Sequence, residues 1–238
     1  FLDFSSGKNA ALMVNNLDWT APISAINFLR DIGKHFSVNQ MLAKDSVATR
    51  LEAGGISYTE FSYQVLQALD FLELFRRHDC TLQLGGSDQW GNITAGLDLI
   101  RKVTSKSGYA LSVPLLTKAD GTKFGKTASG SIWLDPAMTS PYAFFQFFIN
   151  SDDRDVEKLL KMFSFKSHEE ISALLDSHQT NPGLREAHRA LAREVTTLIH
   201  GAEACESVEA AARALFGQGE LQAIDIATLA GALAELPR

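Results

Sequence analysis

Residues 80–102 read CTLQLGGSDQWGNITAGLDLIRK, and this stretch decides the fold class. Its first part, Cys80 to Leu84, predicts a short strand. The paired glycines 85 and 86 predict a tight turn, and a helix is expected from about Asp88 to Lys102. A strand that runs through a glycine turn directly into a helix is typical of α/β domains with a parallel sheet.

The segments on either side of this stretch extend the same pattern. A long helix is predicted from Thr59 to about Arg76, with Thr59 as its N-cap, and its many apolar residues predict that it is largely buried. The apolar run from Val113 to Leu116 predicts a second short strand. The order helix, strand, turn, helix, strand therefore indicates an α/β fold.

The beginning of the chain predicts two shorter helices. Pro22 suits a first helical position, and Ile23, Ile26 and Leu29 follow it at helical spacing. A second helix is expected over residues 45–52, ended by the glycines at 54 and 55.

After Asp135 the sequence becomes helical in character. Ser167 and Glu170 form a capping-box pattern, which predicts the start of one of these helices. The other predicted helices run from Ser140-Pro141 through Ile149, from Asp152 or Asp153 through Met162, from Leu184 to His200, from Ser207 to Phe216, and near the C-terminus. We therefore expect a domain of residues 1–130, α/β in class, followed by an α-helical domain of residues 131–238.

The overall composition restricts the class of protein. The chain has 238 residues, of which 45% are hydrophobic, and a net charge of −6, which argues against a protein that coats nucleic acid non-specifically. No stretch approaches the roughly 20 apolar residues that span a bilayer, and no signal peptide is visible, so no membrane partner is expected. Cys80 and Cys205 form neither a disulfide framework nor a metal pair, which favours a cytoplasmic protein. Because the chain starts at Phe1, we expect a fragment.

Positive charge is concentrated in residues 101–127, where Asp120 is the one acid. The cations there are Arg101, Lys102, Lys106, Lys118, Lys123 and Lys126. From charge alone this region is either a solvated helix end with a loop or a surface that faces phosphate. The segment 118–127 suits a polyphosphate, because it combines three lysines with two glycines. It is not a P-loop, since that motif requires a glycine at position 120.

Three polar residues share one face of the predicted 59–76 helix. Tyr63, Gln67 and Asp70 stand at i, i+4 and i+7 on a helix that is otherwise apolar. A buried carboxylate is costly without hydrogen bonds, so Asp70 requires defined partners. The alternative is that this face is the solvent side.

The segment 85–92 offers a second candidate site. Ligands of open α/β sheets bind at the carboxyl ends of strands, beside helix N-termini. Asp88 and Gln89 stand at that point, and the paired glycines allow close approach of a ligand to the backbone. The alternative is a plain turn with Asp88 as the helix cap.

Together these segments resemble a known family. Residues 61–70, 85–92 and 123–127 resemble three signatures of bacterial tyrosyl-tRNA synthetases, which are class I aminoacyl-tRNA synthetases. Residues 15–19 and 28–36 resemble the region that connects the subunits in this family. The resemblance implies the C-terminal half of a Rossmann-like class I synthetase catalytic domain, followed by the α-helical domain, and a homodimer.

The resemblance also implies roles for individual residues. Asp70 matches the residue that accepts a hydrogen bond from the substrate phenol, whereas Tyr63, Gln67 and Gln89 match residues near the α-amino group of L-tyrosine. Residues that match ATP-binding positions are Gly86 and Asp88 at the ribose, and the backbone near Leu115 and Leu116 at the adenine. Residues that match the catalytic loop closing on pyrophosphate are Lys123, Lys126 and Thr127. ATP with Mg²⁺ on its phosphates, and tRNA(Tyr), are the implied partners, and no protein-bound metal is implied.

The sequence departs from the family in two respects. None of its six histidines lies in the His-x-Gly-His signature, and the family's C-terminal RNA-binding module is missing. We therefore expect the isolated chain to be inactive or nearly so. Three alternatives remain open: a tryptophanyl-tRNA synthetase, which the polar stripe disfavours; a non-catalytic synthetase-like RNA-binding protein; and an α/β domain without such a role.

Overall fold

A computed structural model describes residues 2–127, 130–215, 224 and 226–234. They form two compact units, one of residues 2–115 and one that begins at Leu116. The first unit contains the short parallel sheet, and the second is mostly helical. The expected division of the chain after residue 130 stays a prediction.

The first unit consists of helices around one pair of strands. Its elements are α1 (Leu17–Thr20), α2 (Ala25–Asn27), a π-helical turn (Phe28–Ile32), a 3₁₀ turn (Gly33–His35), α3 (Val38–Leu42), α4 (Asp45–Glu52), α5 (Tyr58–His78), β1 (Leu82–Gly86), a 3₁₀ turn (Ser87–Gln89), α6 (Trp90–Thr104) and β2 (Tyr109–Val113).

The parallel sheet that the sequence predicts is present, but its second strand lies earlier than expected. β1 and β2 pair in parallel from Leu82 opposite Tyr109 to Gly86 opposite Val113, and α6 forms the crossover. The prediction of a strand over Val113–Leu116 is therefore wrong. Pro114 has no N–H to donate to a ladder, which explains why the strand ends before it.

The long helix α5 is confirmed, with corrections to its start and its burial. The hydroxyl of Ser57 accepts a hydrogen bond from the backbone N–H of Glu60, so Ser57 rather than Thr59 is the N-cap. The helix ends at Asp79, which adopts the left-handed conformation (φ 50°). Only one side of α5 is buried, since Tyr63 and Leu66 on the other side are exposed.

The core of the first unit forms where α5 packs against α6. Fully buried side chains from the two helices, among them Leu72 and Ile100, fill the contact. Gly96 allows the close approach, because a Cβ atom there would lie 2.8 Å from Cδ1 of Phe71. This contact fixes the position of the start of α6 relative to the polar face of α5.

The predicted helix from Pro22 is only partly correct. The chain becomes helical after Ser24, whose hydroxyl caps α2, and Ile26 and Leu29 are exposed rather than buried. In contrast, α4 has the expected bounds, and the glycines at 54 and 55 adopt positive φ angles of 133° and 102° beyond its end.

The second unit is built from helices, with a small hairpin near its start. Its elements are β3 (Lys126–Thr127), β4 (Gly130–Ser131), α7 (Pro141–Ile149), α8 (Val156–Phe163), α9 (His168–Thr180), a 3₁₀ turn (Pro182–Leu184), α10 (Glu186–His200), α11 (Ala202–Leu215) and α12 (Ile226–Ala234). Its core joins α7, α8, α10 and α11 through residues such as Phe148, Leu160 and Leu191. Among the described helices, none is both long and apolar enough to cross a membrane.

The predicted helices of this unit are confirmed with shifted ends. α7 starts at Ser140-Pro141 as expected, and Ser167 with Glu170 forms the capping box of α9. α8 starts later than expected, because Asp152 accepts hydrogen bonds from Arg154 instead of capping a helix. α10 starts after Arg185, whose left-handed conformation (φ 50°) interrupts the helix predicted from 184. α11 begins at 202, before the predicted residue 207, and the predicted end at 216 lies outside the described residues.

Candidate active site

Asp70 has the defined partners that the sequence requires. Its Oδ1 atom accepts a hydrogen bond from Nε1 of Trp19 at 2.8 Å, and its Oδ2 atom accepts one from Nδ2 of Asn16 at 3.1 Å. Trp19 is buried, and Arg77 lies over its indole ring, 5.5 Å from the centroid. The carboxylate of Asp70 is thus held in one orientation, although neither partner was singled out from the sequence.

Gln67 is linked to the glycine-turn segment through Asn92. The Nδ2 group of Asn92 donates to Oε1 of Gln67 at 3.2 Å and to Oε1 of Gln89 at 3.3 Å. The Nε2 group of Gln89 in turn donates to Oδ2 of Asp88 at 3.0 Å. The structure therefore joins two segments that the sequence indicated separately, the polar stripe on α5 and the start of α6.

Tyr63 lies outside both hydrogen-bonded groups. Its side chain is 57% exposed, and within the described part of the chain it has no hydrogen-bond partner. It lies two turns before Asp70 on α5, so the polar face has one end that is held by other residues and one end that is open.

Gly86 lies at the carboxyl end of β1, where a side chain would meet the carboxylate of Asp88. A Cβ atom there would lie 2.5 Å from Oδ1 of Asp88 and 3.2 Å from Cδ2 of Leu115. The adjacent Gly85 is similarly close to Ile93 and Gln89. The turn thus brings the Asp88 carboxylate against the backbone at the strand end, which is where open α/β sheets bind ligands.

The start of α6 differs in detail from the prediction. β1 covers Leu82–Gly86 instead of the predicted Cys80–Leu84, so the prediction of a turn at the paired glycines is wrong. Residues 87–89 form a 3₁₀ turn, and α6 begins only at Trp90. Asp88 makes no capping hydrogen bond with this helix; its carboxylate accepts from the Gln89 side chain instead. The interpretation of Asp88 as a simple helix cap is therefore wrong.

The basic loop in the second unit is ordered by its own turn. Thr117 and Lys123 form an antiparallel bridge, and the backbone N–H of Lys118 donates to the carbonyl of Thr122. Asp120 closes the turn by accepting from the N–H and the hydroxyl of Thr122, and these hydrogen bonds lower the pKa of its carboxyl. The one acid of this basic segment therefore has a structural role, and the side chain of Lys123 is exposed.

Phe124 anchors this loop to the aromatic core of the second unit. Its ring lies 5.2 Å from that of Phe147, 6.0 Å from that of Phe148 and 5.9 Å from that of Phe163. Such aromatic pairs favour a fixed geometry. The residues on either side of Phe124 are consequently held at a defined place on the helical unit, which the sequence did not indicate.

The last predicted site residues are Leu116, Lys126 and Thr127. Leu116 follows β2 instead of belonging to it; it packs against the apolar core of the second unit, and its carbonyl accepts from the N–H of Phe124 at 3.3 Å. Lys126 and Thr127 form β3, which pairs antiparallel with residues 130–131. Their side chains lie outside what the structure describes.

Part of the positive charge that the sequence pointed to is neutralised. Arg101 and Lys102 both form ion pairs with Asp98 at 2.6 Å, and Nζ of Lys102 also donates to the carbonyl of His35. These two cations form a solvated helix end, whereas the exposed Lys106 and the loop of residues 118–127 remain candidates for contact with phosphate. Lys44 is a further cation, whose Nζ donates to the Gly91 carbonyl and whose pKa is lowered by burial.

Both cysteines are free thiols, as expected: Cys80 is partly exposed and Cys205 is buried. Burial raises the pKa of the Cys205 thiol. Neither cysteine contributes to the polar groups described above.

Comparisons with known proteins identify the family of the chain. The family model described as tRNA synthetases class I (W and Y) matches residues 1–217. A tyrosine–tRNA ligase of Streptomyces avermitilis is 64% identical over 99% of the chain, and one of Mycobacterium bovis is 57% identical over 99%. The chain spans 56% of the length of each of these relatives.

Solved structures show the same likeness in three dimensions. A C-terminally truncated mitochondrial tyrosyl-tRNA synthetase of Aspergillus nidulans matches 88% of the chain with a TM-score of 0.73 and 33% identity, over 61% of its own length. The corresponding enzyme of Coccidioides posadasii matches 82% with a TM-score of 0.69 and 37% identity, over 56% of its own length. The chain therefore belongs to the class I tRNA synthetases, in the family of the W and Y enzymes.

Proposed function

We propose that the natural polypeptide containing this chain is a tyrosine–tRNA ligase. The observation that carries this proposal is the carboxylate of Asp70, which Trp19 and Asn16 hold in one orientation at the closed end of a polar face. Relatives named tyrosine–tRNA ligase at 57–64% identity support tyrosine over tryptophan as the amino acid.

The reaction consists of two transfers. In the first, the carboxylate of L-tyrosine attacks the α-phosphorus of ATP, which enters as its Mg²⁺ complex. The new bond joins the carboxylate oxygen to the α-phosphorus, the bond to the bridging oxygen of the β-phosphate breaks, and pyrophosphate leaves. In the second, a 3′-terminal ribose hydroxyl of tRNA(Tyr) attacks the tyrosyl carbonyl and gives up its proton. A new ester bond forms, the bond from the carbonyl carbon to the phosphate oxygen breaks, and AMP leaves.

The polar face of α5 provides the amino-acid pocket in this proposal. Asp70 accepts a hydrogen bond from the phenol, while Tyr63, Gln67 and Gln89 bind the α-amino group. A site that hydrogen-bonds a substrate hydroxyl rejects the analogue that lacks it, and tyrosyl-tRNA synthetases are themselves the standard illustration of this rule. The hydrogen bonds from Asn92 to Gln67 and Gln89 pre-organise the end of the pocket that takes the amino group.

The glycine turn and the basic loop provide the nucleotide contacts. Gly86 leaves room for the ribose beside the Asp88 carboxylate, and the backbone N–H near Leu116 contacts the adenine. Lys123 and Lys126, with Thr127, stabilise the negative charge that grows on the leaving pyrophosphate. No covalent enzyme intermediate is needed, so the contribution of the protein is positioning and charge stabilisation.

The test is tyrosine-dependent exchange of pyrophosphate into ATP by the natural polypeptide. We expect exchange with tyrosine but not with phenylalanine or tryptophan, and Asp70→Asn lowers kcat/KM for tyrosine because the carboxylate acceptor is lost. Asp79→Asn, at the exposed end of the same helix, is the matched control and leaves exchange unchanged. Exchange with tryptophan instead, or tRNA binding without any exchange, contradicts the proposal.

We further propose that the polypeptide is a homodimer. In α1 and the turns that follow it, the apolar side chains of Leu17, Ile26 and Leu29 are each more than half exposed, and a second copy of the chain would bury them. Sedimentation of the natural polypeptide is expected to show a dimer at micromolar concentration, and Ile26→Glu is expected to shift it towards monomer.

A further inference from the structure

A cluster of two histidines and an aspartate lies in the second unit and includes no residue of the proposed active site. Asp153 belongs to the connection between α7 and α8, His178 to the last turn of α9, and His188 to the first turn of α10. The side chains of His178 and His188 are 8% and 0% exposed, whereas that of Asp153 is 54% exposed. The mechanism proposed above uses none of the three.

The distances in the cluster are too long for strong hydrogen bonds. The Nε2 atom of His178 and the Nε2 atom of His188 each lie 3.4 Å from the same atom, Oδ1 of Asp153. Hydrogen bonds between nitrogen and oxygen are usually about 2.7–3.2 Å long. Two imidazole nitrogens thus converge on one carboxylate oxygen without either making a good hydrogen bond with it.

The same distances fit the edges of a metal coordination shell. Zinc bonds to imidazole nitrogen and carboxylate oxygen are about 2.0–2.2 Å long, which in a tetrahedron separates neighbouring ligand atoms by roughly 3.3–3.5 Å. One ligand atom from each of the three residues lies within 4.8 Å of the others. We therefore propose that Asp153, His178 and His188 form a zinc-binding site.

The chemistry of the ligand atoms selects the kind of metal. Two imidazoles and one carboxylate suit zinc and similar transition metals, whereas Ca²⁺ and Mg²⁺ prefer oxygen ligands alone. The carbonyl oxygen of Ser151 lies 3.1 Å from Nε2 of His188 and also accepts a hydrogen bond from Arg185, so we expect the fourth ligand to be a water molecule on the exposed side of Asp153.

Two features of the cluster limit the affinity to the micromolar range. The Nη1 atom of Arg185 lies 3.4 Å from Oδ1 of Asp153, and the positive charge of this guanidinium repels a metal ion. The Nη2 group of Arg185 donates hydrogen bonds to the carbonyls of Ile149 and Ser151, which hold the guanidinium in this position. In addition, the Nδ1 atoms of both histidines are buried without a hydrogen-bond partner among the described residues. Loss of such supporting partners typically weakens metal binding by about 10–100-fold.

Bound zinc would connect three segments of the helical unit. Its three ligands come from three segments that are separated in sequence by about ten residues or more, so one ion connects the α7–α8 connection with α9 and α10. An ion that binds only the folded state stabilises that state in proportion to the logarithm of its concentration. This role is independent of the proposed ligase activity.

Isothermal titration of the natural polypeptide with zinc chloride, after removal of metal with a chelator, tests the site. We expect one zinc ion to bind per chain with micromolar affinity and to raise the melting temperature. Asp153→Asn is expected to weaken this binding by at least tenfold, with circular dichroism as the check that the variant is folded. Asp176→Asn, an exposed aspartate on α9, is the matched control and is expected to bind zinc as the unchanged protein does.

A second measurement on the unchanged protein does not depend on any variant. X-ray absorption of the zinc-loaded polypeptide is expected to show two imidazole ligands with nitrogen and oxygen in the first shell. Absence of stoichiometric binding, equal affinity in the two aspartate variants, or fewer than two imidazoles at the metal would each overturn the proposal.

Discussion

Trp19→Phe tests whether Asp70 is held for recognition of a phenol. The substitution removes the N–H that donates to Oδ1 of Asp70 at 2.8 Å and leaves a smaller aromatic ring in the buried position. The hydrogen bond from Asn16 to the other oxygen remains. The carboxylate therefore keeps its charge but loses the stronger of its two fixed partners.

The size of the effect follows from the type of hydrogen bond. A hydrogen bond to a charged group contributes about 1.5–3 kcal/mol. Every 1.4 kcal/mol corresponds to a factor of about ten in an equilibrium constant. Because Asn16 still orients the carboxylate, the lower end of the range applies, and we expect the KM for tyrosine to rise about tenfold.

Pyrophosphate exchange at varied tyrosine and saturating ATP measures this effect on the natural polypeptide. The KM for ATP is expected to stay unchanged, since the contact lies on the amino-acid side of the proposed site. Trp133→Phe makes the same chemical change at a half-exposed indole in the second unit and serves as the control. A Trp19→Phe variant with an unchanged KM for tyrosine refutes the idea that Asp70 must be oriented by this indole to bind substrate.

Three further predictions concern other parts of the chain. Gly96→Ala places a methyl group 2.8 Å from Phe71, so urea denaturation is expected to show a loss of about 1–3 kcal/mol in the free energy of unfolding, compared with no loss for Gly7→Ala at an open position. Phe124→Ala removes aromatic contacts of about 1 kcal/mol each, which anchor the basic loop to the second unit. The kcat of exchange is therefore expected to fall about tenfold or more, while the KM for tyrosine is unchanged. Burial lowers the pKa of His200 in the folded state. The unfolded state therefore binds this proton more readily, and the folded state loses stability as the pH falls below about 6.5, the pKa of histidine in an unfolded chain. The melting temperature is therefore expected to drop less between pH 7 and pH 5.5 in His200→Gln than in the unchanged protein.

Local signals in the sequence were sufficient for the type of fold. The strand, the turn and the helix of residues 80–102 follow each other directly, so each is determined by hydrogen bonds and turn-forming residues that are only a few positions apart. Helix starts with a local cap, such as Ser140 and Ser167, were placed correctly for the same reason. The end of β2 was missed, although Pro114 marks it, because the apolar run continues beyond the proline.

Long-range partners could not be predicted from the sequence. Asp70 was expected to have hydrogen bonds, but Trp19 and Asn16 are more than fifty residues away, and no periodicity relates them to α5. The link through Asn92 likewise depends on how α5 packs against α6. Packing of this kind is decided by the buried faces of both helices together, so the polar contacts that result are visible only in the structure.

The two ends of the polar face of α5 differ, and this difference indicates how tyrosine would lie on it. Asp70 is tied to a buried indole, whereas Tyr63, seven residues earlier and therefore about 10 Å away along the helix, is exposed. Asp70 is only partly buried, but its hydrogen bonds from Asn16 and Trp19 distinguish it from Tyr63. A ligand whose apolar ring carries a hydroxyl suits the closed end, because its hydroxyl can donate to a carboxylate that still has acceptor capacity. Under the proposed function, the amino and carboxyl groups of tyrosine would then lie toward the open end of the face, where Tyr63 is exposed.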